Sequence, residues 1–339
     1  MFEGCTSLRT INAGDFTFPS VSSRAGENNT TILEGGVSGS FCTKMFKGCT
    51  RLSTVNMTIP FANNAESKNI WGSNACELMF EGCTDLSNVN NLSFSGYLGN
   101  NSLKSMFKGC TNLVNISSTE IELDFAGNSV CVSMFDGCTK LKNVSKLKIN
   151  NLTSSCCESM FTNCTALETP PSNFFGSHKY PSKCYKNMFK GCTALKTIPF
   201  IYGDTLIHTE VDQSNNPIIP EFYEECFSHM FDGCINLASD FYGIYGKFQN
   251  GCCSYMFNDC RKLKSVRMIK PILSISGSDM KECFSYMFAG CIALDILPPG
   301  DQNNPDADAK NRVPVIDISE AGKHEGSMPS PEIGKILGA

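Results

Sequence analysis

Large apolar residues recur along this chain in one short pattern. The octet Met-Phe-x-x-Cys-x-x-Leu, with mostly small or polar residues at the x positions, occurs in ten copies. The copies begin at Met1, Met45, Met79, Met106, Met134, Met160, Met188, Met230, Met256 and Met287. The nine intervals run from 26 to 44 residues, and five of them lie between 26 and 28. A period of this size predicts an array of units, each of which buries its apolar residues only against its neighbours.

The residues around each octet predict a short helix followed by a sharp turn. Eight copies have Gly at the fourth octet position, and the other two have Asn163 and Asp259. These residue types tolerate a left-handed backbone, which commonly ends a helix. In the sixth copy, Ser154 suits the N-cap of a brief helix that ends near Phe161.

The segment after each octet predicts a short strand. In most copies the octet Leu is followed three residues later by Ile or Val, as in Leu141 to Val144, and β-branched residues favour strands. Further apolar stretches, such as Leu147 to Ile149 and Tyr242 to Tyr245, predict a second strand. The predicted fold class is an α/β repeat over residues 1–299, a solenoid of ten units, each a short strand plus a short helix, with long inter-unit loops.

The segment from Cys192 to Pro199, which follows the turn Gly and reads Cys-Thr-x-Leu-x-x-Ile-Pro, resembles a known family. It is similar to the BspA-type (Treponema-like) leucine-rich repeats of bacterial and protist surface proteins. The resemblance covers residues 1 to 299 and implies a right-handed leucine-rich-repeat solenoid used for protein contact, adhesion or aggregation. The chain differs from the family in having Met-Phe where Ala-Phe is usual, and in its longer spacing.

Three segments depart from the repeat. Residues 12–40 are polar and rich in glycine, which predicts a hairpin or loop, and residues 200–225 predict a loop that is either a binding face or a spacer. Residues 300–339 contain neither Cys nor an aromatic residue; within them, residues 312–318 predict a capping strand, and the rest a linker or tail. Because Met1 already opens an octet, we expect a signal peptide or an N-terminal domain upstream.

Charge and hydropathy exclude two classes of partner. The net charge is −5, and Lys and Arg do not cluster, which argues against nucleic-acid binding. No run of 18 or more apolar residues occurs, so we expect no membrane span in this chain.

The twenty cysteines fall into two sets of ten, one in the octets and one lying three or four residues before the octet Met. At the third residue before Met, Cys alternates with Leu103, Tyr185, Phe227 and Phe284, so that Cys behaves as a small apolar residue there. We expect buried free thiols stacked as a ladder; disulfides within or between units are the alternative. A metal site is disfavoured because no Cys-x-x-Cys pair occurs and the chain has only four histidines that could serve as further ligands.

No motif indicates catalysis or a cofactor. The four histidines occupy unrelated positions in the repeat, and no phosphate-binding glycine loop occurs. Asp306-x-Asp308 lacks the further oxygen ligands of a calcium loop. We therefore expect a protein that is not an enzyme and that holds no cofactor or metal.

The second residue after the octet Leu is the best candidate for a binding surface. If Leu and the following Ile or Val point inward, this residue lies on the outer face of its strand. Nine copies have a small polar side chain here: Thr10, Thr54, Asn88, Asn115, Asn143, Thr169, Thr197, Ser239 and Ser265. Such a column suits a protein strand or glycan hydroxyls; the alternative is that these residues only bond to one another across a solvated sheet.

Together these patterns predict a non-catalytic leucine-rich-repeat protein, at the cell surface or secreted, that contacts another protein or a surface glycan. The alternatives are a virion appendage such as a phage tail fibre, an intracellular scaffold, and an enzyme with its site in residues 200–225.

Overall fold

The computed structural model describes thirteen segments: residues 2–12, 22–25, 31–34, 39–56, 72–90, 97–116, 121–171, 179–198, 220–239, 244–264, 268–272, 282–294 and 315–316. Contacts divide the chain into two compact units, unit 1 (Met1–Ser172) and unit 2 (Asn173–Ala339).

The described secondary structure consists of short strands. Those of unit 1 are β1 (Thr10–Ile11), β2 (Ser22–Ala25), β3 (Thr31–Glu34), β4 (Thr54–Asn56), β5 (Asn88–Asn90), β6 (Tyr97–Leu98), β7 (Ile121–Phe125) and β8 (Leu147–Asn150). Those of unit 2 are β9 (Lys179–Tyr180), β10 (Glu221–Phe222), β11 (Ile244–Phe248), β12 (Met268–Ile272) and β13 (Val315–Ile316).

Parallel pairing joins strands from successive copies. In unit 1, β1, β4 and β5 form a sheet from the segments after the octets, and β6, β7 and β8 form a second sheet from the segments before them. In unit 2, one sheet has the order β13-β12-β11-β10-β9. The second strand predicted near Leu147 and Tyr242 is confirmed by β8 and β11. β13 lies within residues 312–318 and pairs with β12.

The glycine-rich segment of residues 12–40 contains an antiparallel hairpin, as the sequence predicts. Its strands are β2 and β3, with Ser22 opposite Glu34 and Ala25 opposite Thr31. The other long insertion, residues 200–225, falls mostly outside the described residues.

The predicted helix is wrong, because no helix occurs in the part of the chain that the structure describes. In the sixth copy, Ser155, Ser159 and Asn163 have φ values of 52°, 57° and 58°. A left-handed residue at every fourth position interrupts an α-helix, which needs negative φ throughout. The amides bond three residues back instead, as when the Met160 N–H donates to the Cys157 carbonyl at 3.1 Å. The segment is therefore a run of consecutive turns.

Alternate amides in this run bond to different copies. The Met134 N–H donates to the Cys131 carbonyl of its own copy at 3.1 Å, whereas the Phe135 N–H donates to the Met160 carbonyl of the next copy at 2.9 Å. An α-helix bonds its amides within itself and leaves none for a neighbour along its length. The run of turns instead uses every second amide to join one copy to the next.

This backbone is strained at residues other than glycine. A left-handed conformation costs an L-residue about 1–2 kcal/mol. The residue immediately before the octet Met adopts it in every described copy from the second onward; these residues are Lys44, Leu78, Ser105, Ser133, Ser159, Asn187, His229, Tyr255 and Tyr286. No single residue type marks the position, so the inter-copy hydrogen bonds and the packing of the core maintain it.

The octet side chains form the core, as the pattern predicts. In unit 1 the rings of Phe2, Phe46, Phe80, Phe107, Phe135 and Phe161 stack with centroids 5.4–5.6 Å apart. In unit 2 those of Phe189, Phe231, Phe257 and Phe288 stack at 5.4–5.7 Å. The described octet Met, Cys and Leu side chains are buried beside the rings, except Cys5, Leu8, Met45 and Cys291, which are half-buried. Each copy therefore buries its rings only between neighbours.

The turn predicted at the fourth octet position is also confirmed. Gly137 has a φ of 75°, and a Cβ added there would lie 3.8 Å from the Gly109 Cα atom, which is ordinary contact. Backbone conformation rather than space therefore selects glycine. Asn163 and Asp259 adopt the same conformation, with φ of 58° in both.

Candidate functional site

Polar side chains after the octets lie next to one another on the first sheet of unit 1. Thr10 pairs with Thr54 in register, and Thr54 pairs with Asn88. Their chain neighbours Ile11 and Val55 are buried. Because alternate residues of a strand point to opposite faces, burial of Ile and Val directs the polar residue outward.

Two isolated bridges extend the same line of residues. Asn88 pairs with Asn115, and Asn143 pairs with Thr169. We call the set Thr10, Thr54, Asn88, Asn115, Asn143 and Thr169 the polar column. All six are exposed except Thr54, which is half-buried.

The three remaining residues predicted for this surface belong to unit 2. Thr197 is exposed, while Ser239 is half-buried and its Oγ accepts a hydrogen bond from the Ile198 N–H at 2.8 Å. Ser265 lies outside the described residues. Neither Thr197 nor Ser239 belongs to a described strand, so the paired column is a feature of unit 1.

Neighbouring hydroxyls hold the column in place. The Ser87 hydroxyl donates to the Ser53 carbonyl at 3.2 Å and accepts a hydrogen bond from the Asn88 amide nitrogen at 3.0 Å. The Asn143 side-chain oxygen accepts from the Ser145 N–H at 2.8 Å. These contacts orient the Asn amides while leaving the side chains at the surface.

A small pocket opens in the column between Asn115 and Asn143. It has a volume of about 90 Å³, and its lining residues are Asn115, Ile116, Ile121, Asn143, Val144, Ser145, Lys146 and Leu147. Small-molecule and cofactor sites usually measure about 300–1,000 Å³. The pocket therefore has room for a single protruding group, such as one side chain or one sugar substituent, and its polar lining residues are Asn115, Asn143, Ser145 and Lys146.

The octet cysteines donate hydrogen bonds along the array. The Cys110 Sγ lies 3.1 Å from the Phe80 carbonyl oxygen, and the Cys138 Sγ lies 3.1 Å from that of Phe107. The same contact to the preceding Phe is made by Cys49, Cys83, Cys164, Cys234, Cys260 and Cys291. A thiol is apolar enough to bury yet still offers a weak donor, which Ala and Val lack.

Burial also makes these thiols unreactive. It raises the pKa of the Cys110 thiol well above its ordinary value and that of Cys83 to about 12. Because the thiolate is the nucleophile and the metal ligand, a protonated buried thiol serves neither role at neutral pH. Over the described ranges, no group of three or more His, Cys, Asp or Glu side chains could hold a metal ion.

Threonine makes a parallel ladder at the surface. The Thr139 hydroxyl donates to the Thr111 carbonyl at 3.3 Å, and the Thr165 hydroxyl donates to the Thr139 carbonyl at 3.4 Å. The octet sequence Cys-Thr thus provides one buried and one exposed donor to the preceding copy.

Unit 2 has a polar and aromatic cluster that sequence reasoning missed. The Asp232 carboxylate lies 2.9 Å from His229 Nδ1, 2.8 Å from Lys190 Nζ and 2.7 Å from the Asn258 amide. Burial would raise the pKa of Asp232, but these partners outweigh it and hold the pKa at about 2. The carboxylate is therefore ionised and fully engaged, as a structural acceptor rather than a general base.

Stacked rings flank this cluster. His229 lies parallel to Tyr255 with centroids 4.5 Å apart, and Tyr255 lies parallel to Tyr286 at 5.0 Å. All three occupy the left-handed position immediately before Met, in the sequences His-Met-Phe and Tyr-Met-Phe. That recurrence was the signal available in the sequence.

No protein-family model matches the chain, and no curated protein matches it. In the part of the chain that is described, no helix has the length and apolar character needed to cross a bilayer.

Proposed function

We propose that this chain is a non-catalytic, BspA-type leucine-rich-repeat protein that binds another protein or a surface glycan. In each compact unit the successive copies form the coils of a right-handed solenoid. The described part of each copy consists of β-turns and short strands and lacks the predicted helix. The stacked Phe rings and the amides shared between copies support this architecture. Its expected place is the cell surface or the extracellular space.

The polar column of unit 1 carries the proposal. Thr10, Thr54 and Asn88 are held in register on adjacent parallel strands, and Asn115 continues their line through a parallel bridge to Asn88. Such a row offers both donors and acceptors at a regular spacing of one strand. Burying it behind a partner costs little when each group finds a hydrogen bond there.

The pocket between Asn115 and Asn143 supports an extended ligand with one projecting group. An extended peptide or glycan lying along the column would place that group among the two amides and the Lys146 side chain. The small volume excludes a large cofactor, so recognition rather than chemistry is the use that fits best.

A binding assay with charge-matched variants tests the proposal. We would substitute Asn88, Asn115 and Asn143 with Lys in the full chain, and measure binding to a glycan array and to immobilised collagen, laminin, fibronectin and mucin. The control substitutes Thr6, Thr50 and Ser154 with Lys. These are exposed, lie off the column and add the same charge.

The expected result is that the native chain binds at least one of these surfaces and that the column variant binds it at least about tenfold more weakly, the loss from a few hydrogen bonds. The control variant should bind as the native chain does, with all three showing the same thermal unfolding. Absence of binding across the panel, or an equal loss in both variants, would contradict the proposal.

A further inference from the structure

The second set of cysteines forms an unbroken column in unit 2. The residue four positions before the octet Met is Cys in four successive copies: Cys184, Cys226, Cys252 and Cys283. All four are buried, with exposed fractions of 0–1%. In unit 1 the equivalent residues from the second copy onward are Phe41, Ala75, Ser102, Val130 and Cys156, so no comparable run of thiols occurs there.

Thiols of successive copies contact one another in this column, since Cys252 lies within hydrogen-bond reach of both Cys226 and Cys283. The Sγ atoms of Cys252 and Cys283 lie 3.0 Å apart, whereas Cys252 and its chain neighbour Cys253 have their sulfurs 3.6 Å apart. The Cys184 thiol lies 4.0 Å from the Cys226 carbonyl oxygen. The Cys252–Cys283 contact thus brings two thiols from different copies together.

The backbone around this pair is fixed at a suitable spacing. The Cys253 N–H donates to the Cys283 carbonyl at 2.9 Å, and the rings of Phe257 and Phe288 in the same two copies lie 5.7 Å apart. Disulfides span Cα separations of about 4.4–6.8 Å, which is the range between paired backbones. To bond, the two sulfurs must approach from 3.0 Å to about 2 Å.

Octet thiols lack this arrangement. Those of Cys234, Cys260 and Cys291 each donate to a Phe carbonyl of the preceding copy. Of the two sulfur contacts of Cys252 with a known distance, the one to Cys283 is shorter than the one to Cys253, at 3.0 Å against 3.6 Å, and Cys226 is the competing partner from the preceding copy.

We propose that Cys252 and Cys283 form an inter-copy disulfide when the chain folds in the presence of a disulfide oxidant such as oxidised glutathione. The Cys252 thiolate attacks one glutathione sulfur, forms a mixed disulfide and releases one reduced glutathione. The Cys283 thiolate then attacks the Cys252 sulfur and releases the second. Two protein thiols lose two electrons and two protons, and one glutathione disulfide becomes two thiols.

The bond forms before the last two copies pack fully. In the folded chain both thiols are buried, and burial raises the pKa of Cys252 well above its ordinary value, so that little thiolate is available. Once formed, the bond closes a loop of some thirty residues and restricts the unfolded chain, which raises stability.

Peptide mapping after oxidative folding tests the assignment. The denatured, reduced full chain would be refolded in a mixture of reduced and oxidised glutathione, alkylated and digested with trypsin without reduction. We expect the peptide of residues 248–261 linked to that of residues 282–310, with fragment ions placing the bond on Cys252 and Cys283. Two of the twenty thiols should escape alkylation.

Variants separate this pair from neighbouring sulfurs. Cys252→Ser and Cys283→Ser should each abolish the linked peptide, whereas Cys260→Ser, which removes a buried thiol from the same copy, should retain it. The oxidised native chain should also unfold at a higher Tm than the same chain after reduction. Alkylation of all twenty thiols, a Cys226–Cys252 or Cys252–Cys253 bond, or a bond placed on Cys260 and Cys291 would overturn the proposal. The mapping of the native chain requires no variant to fold.

Discussion

Each of the two compact units has a core of the same kind, but the two present different surfaces. In unit 1 the strands after the octets pair and carry the polar column, whereas in unit 2 the paired strands β9 to β12 lie before the octets. Unit 2 instead has stacked rings at His229, Tyr255 and Tyr286. The octet therefore determines how copies stack, and the residues between octets determine what each unit can contact.

Alkaline pH should lower the folding stability more than any of the substitutions below, and it should do so in both units. Burial raises the pKa to about 12 for Cys83 in unit 1 and for Cys253 and Cys291 in unit 2. An unfolded thiol has a pKa of about 8.5, so above that pH the unfolded chain binds fewer protons and folding stability falls.

Each such thiol costs about 1.4 kcal/mol per pH unit between about 8.5 and its folded pKa, against a total stability of about 5–15 kcal/mol. Urea unfolding of the reduced chain at pH 7, 8, 9 and 9.5 measures the loss. A free energy of unfolding that stays constant to pH 9.5 would show that the thiols are not buried in the folded chain.

Truncation of a stacked ring tests whether the core is equivalent in the two units. Phe135→Ala in unit 1 and Phe257→Ala in unit 2 each remove a ring that lies between two others. Each should lower the free energy of unfolding by about 3–5 kcal/mol, because a cavity remains. Lys140→Ala is the control, since its contact to Asn112 is exposed. Equal losses for Phe135 and Lys140 would contradict the inward assignment.

Substitution at the left-handed turn should have a smaller effect. Gly137→Val should cost about 2 kcal/mol because a β-branched residue resists a φ of 75°. Gly137→Asn should cost less, since Asn163 occupies the equivalent position at a φ of 58°. Thermal unfolding of the pair measures the difference, and identical melting would show that the turn is not conformationally selected.

Loss of one carboxylate should have the smallest effect and should differ between the units. Asp232 and Asp136 both lie in the sequence Met-Phe-Asp-Gly-Cys, but Asp232 has three partners, whereas Asp136 pairs with Lys108 at 3.0 Å. Asp232→Ala should lower stability by about 1–2 kcal/mol and Asp136→Ala by less than about 1 kcal/mol.

The contribution of Asp232 to folding stability should decrease at acid pH. Its folded pKa of about 2 lies below the ordinary 3.8, so the stabilisation is present above pH 4 and is lost as pH falls toward 2. The difference between native chain and Asp232→Ala in urea should therefore shrink over that range. An unchanged difference at pH 2.5 would exclude the ionised carboxylate as its source.

The sequence was sufficient to predict the residues of the core, but not the backbone conformation that positions them. Internal repetition of Met, Phe, Cys and Leu predicted which side chains are buried, and the exchange of Gly for Asn163 predicted the left-handed turn. The helix was wrong because Lys44, Leu78 and Ser105 share a conformation that none of them prefers. The hydrogen bonds to the next copy and the packing of the core maintain that conformation, and neither leaves a pattern in the sequence of a single copy.

The sequence also predicted only part of the candidate site. Alternation along the strand predicted that Asn88 and Asn115 face outward, and their binding role stays a prediction. The pocket beside Asn143 was not predictable, because it depends on the spacing between two bridged pairs. The Asp232 cluster combines residues from three copies, and their proximity follows only from the register of stacking.

The number of residues between two octets has little influence on the distance between their stacked Phe rings. Phe2 and Phe46 are 44 residues apart in sequence and Phe80 and Phe107 are 27 apart, yet their centroid distances are 5.6 and 5.4 Å. A foreign epitope grafted between two octets should therefore be displayed without disturbing the scaffold. The same tolerance would let evolution diversify those connecting segments while the spine that carries them stays constant.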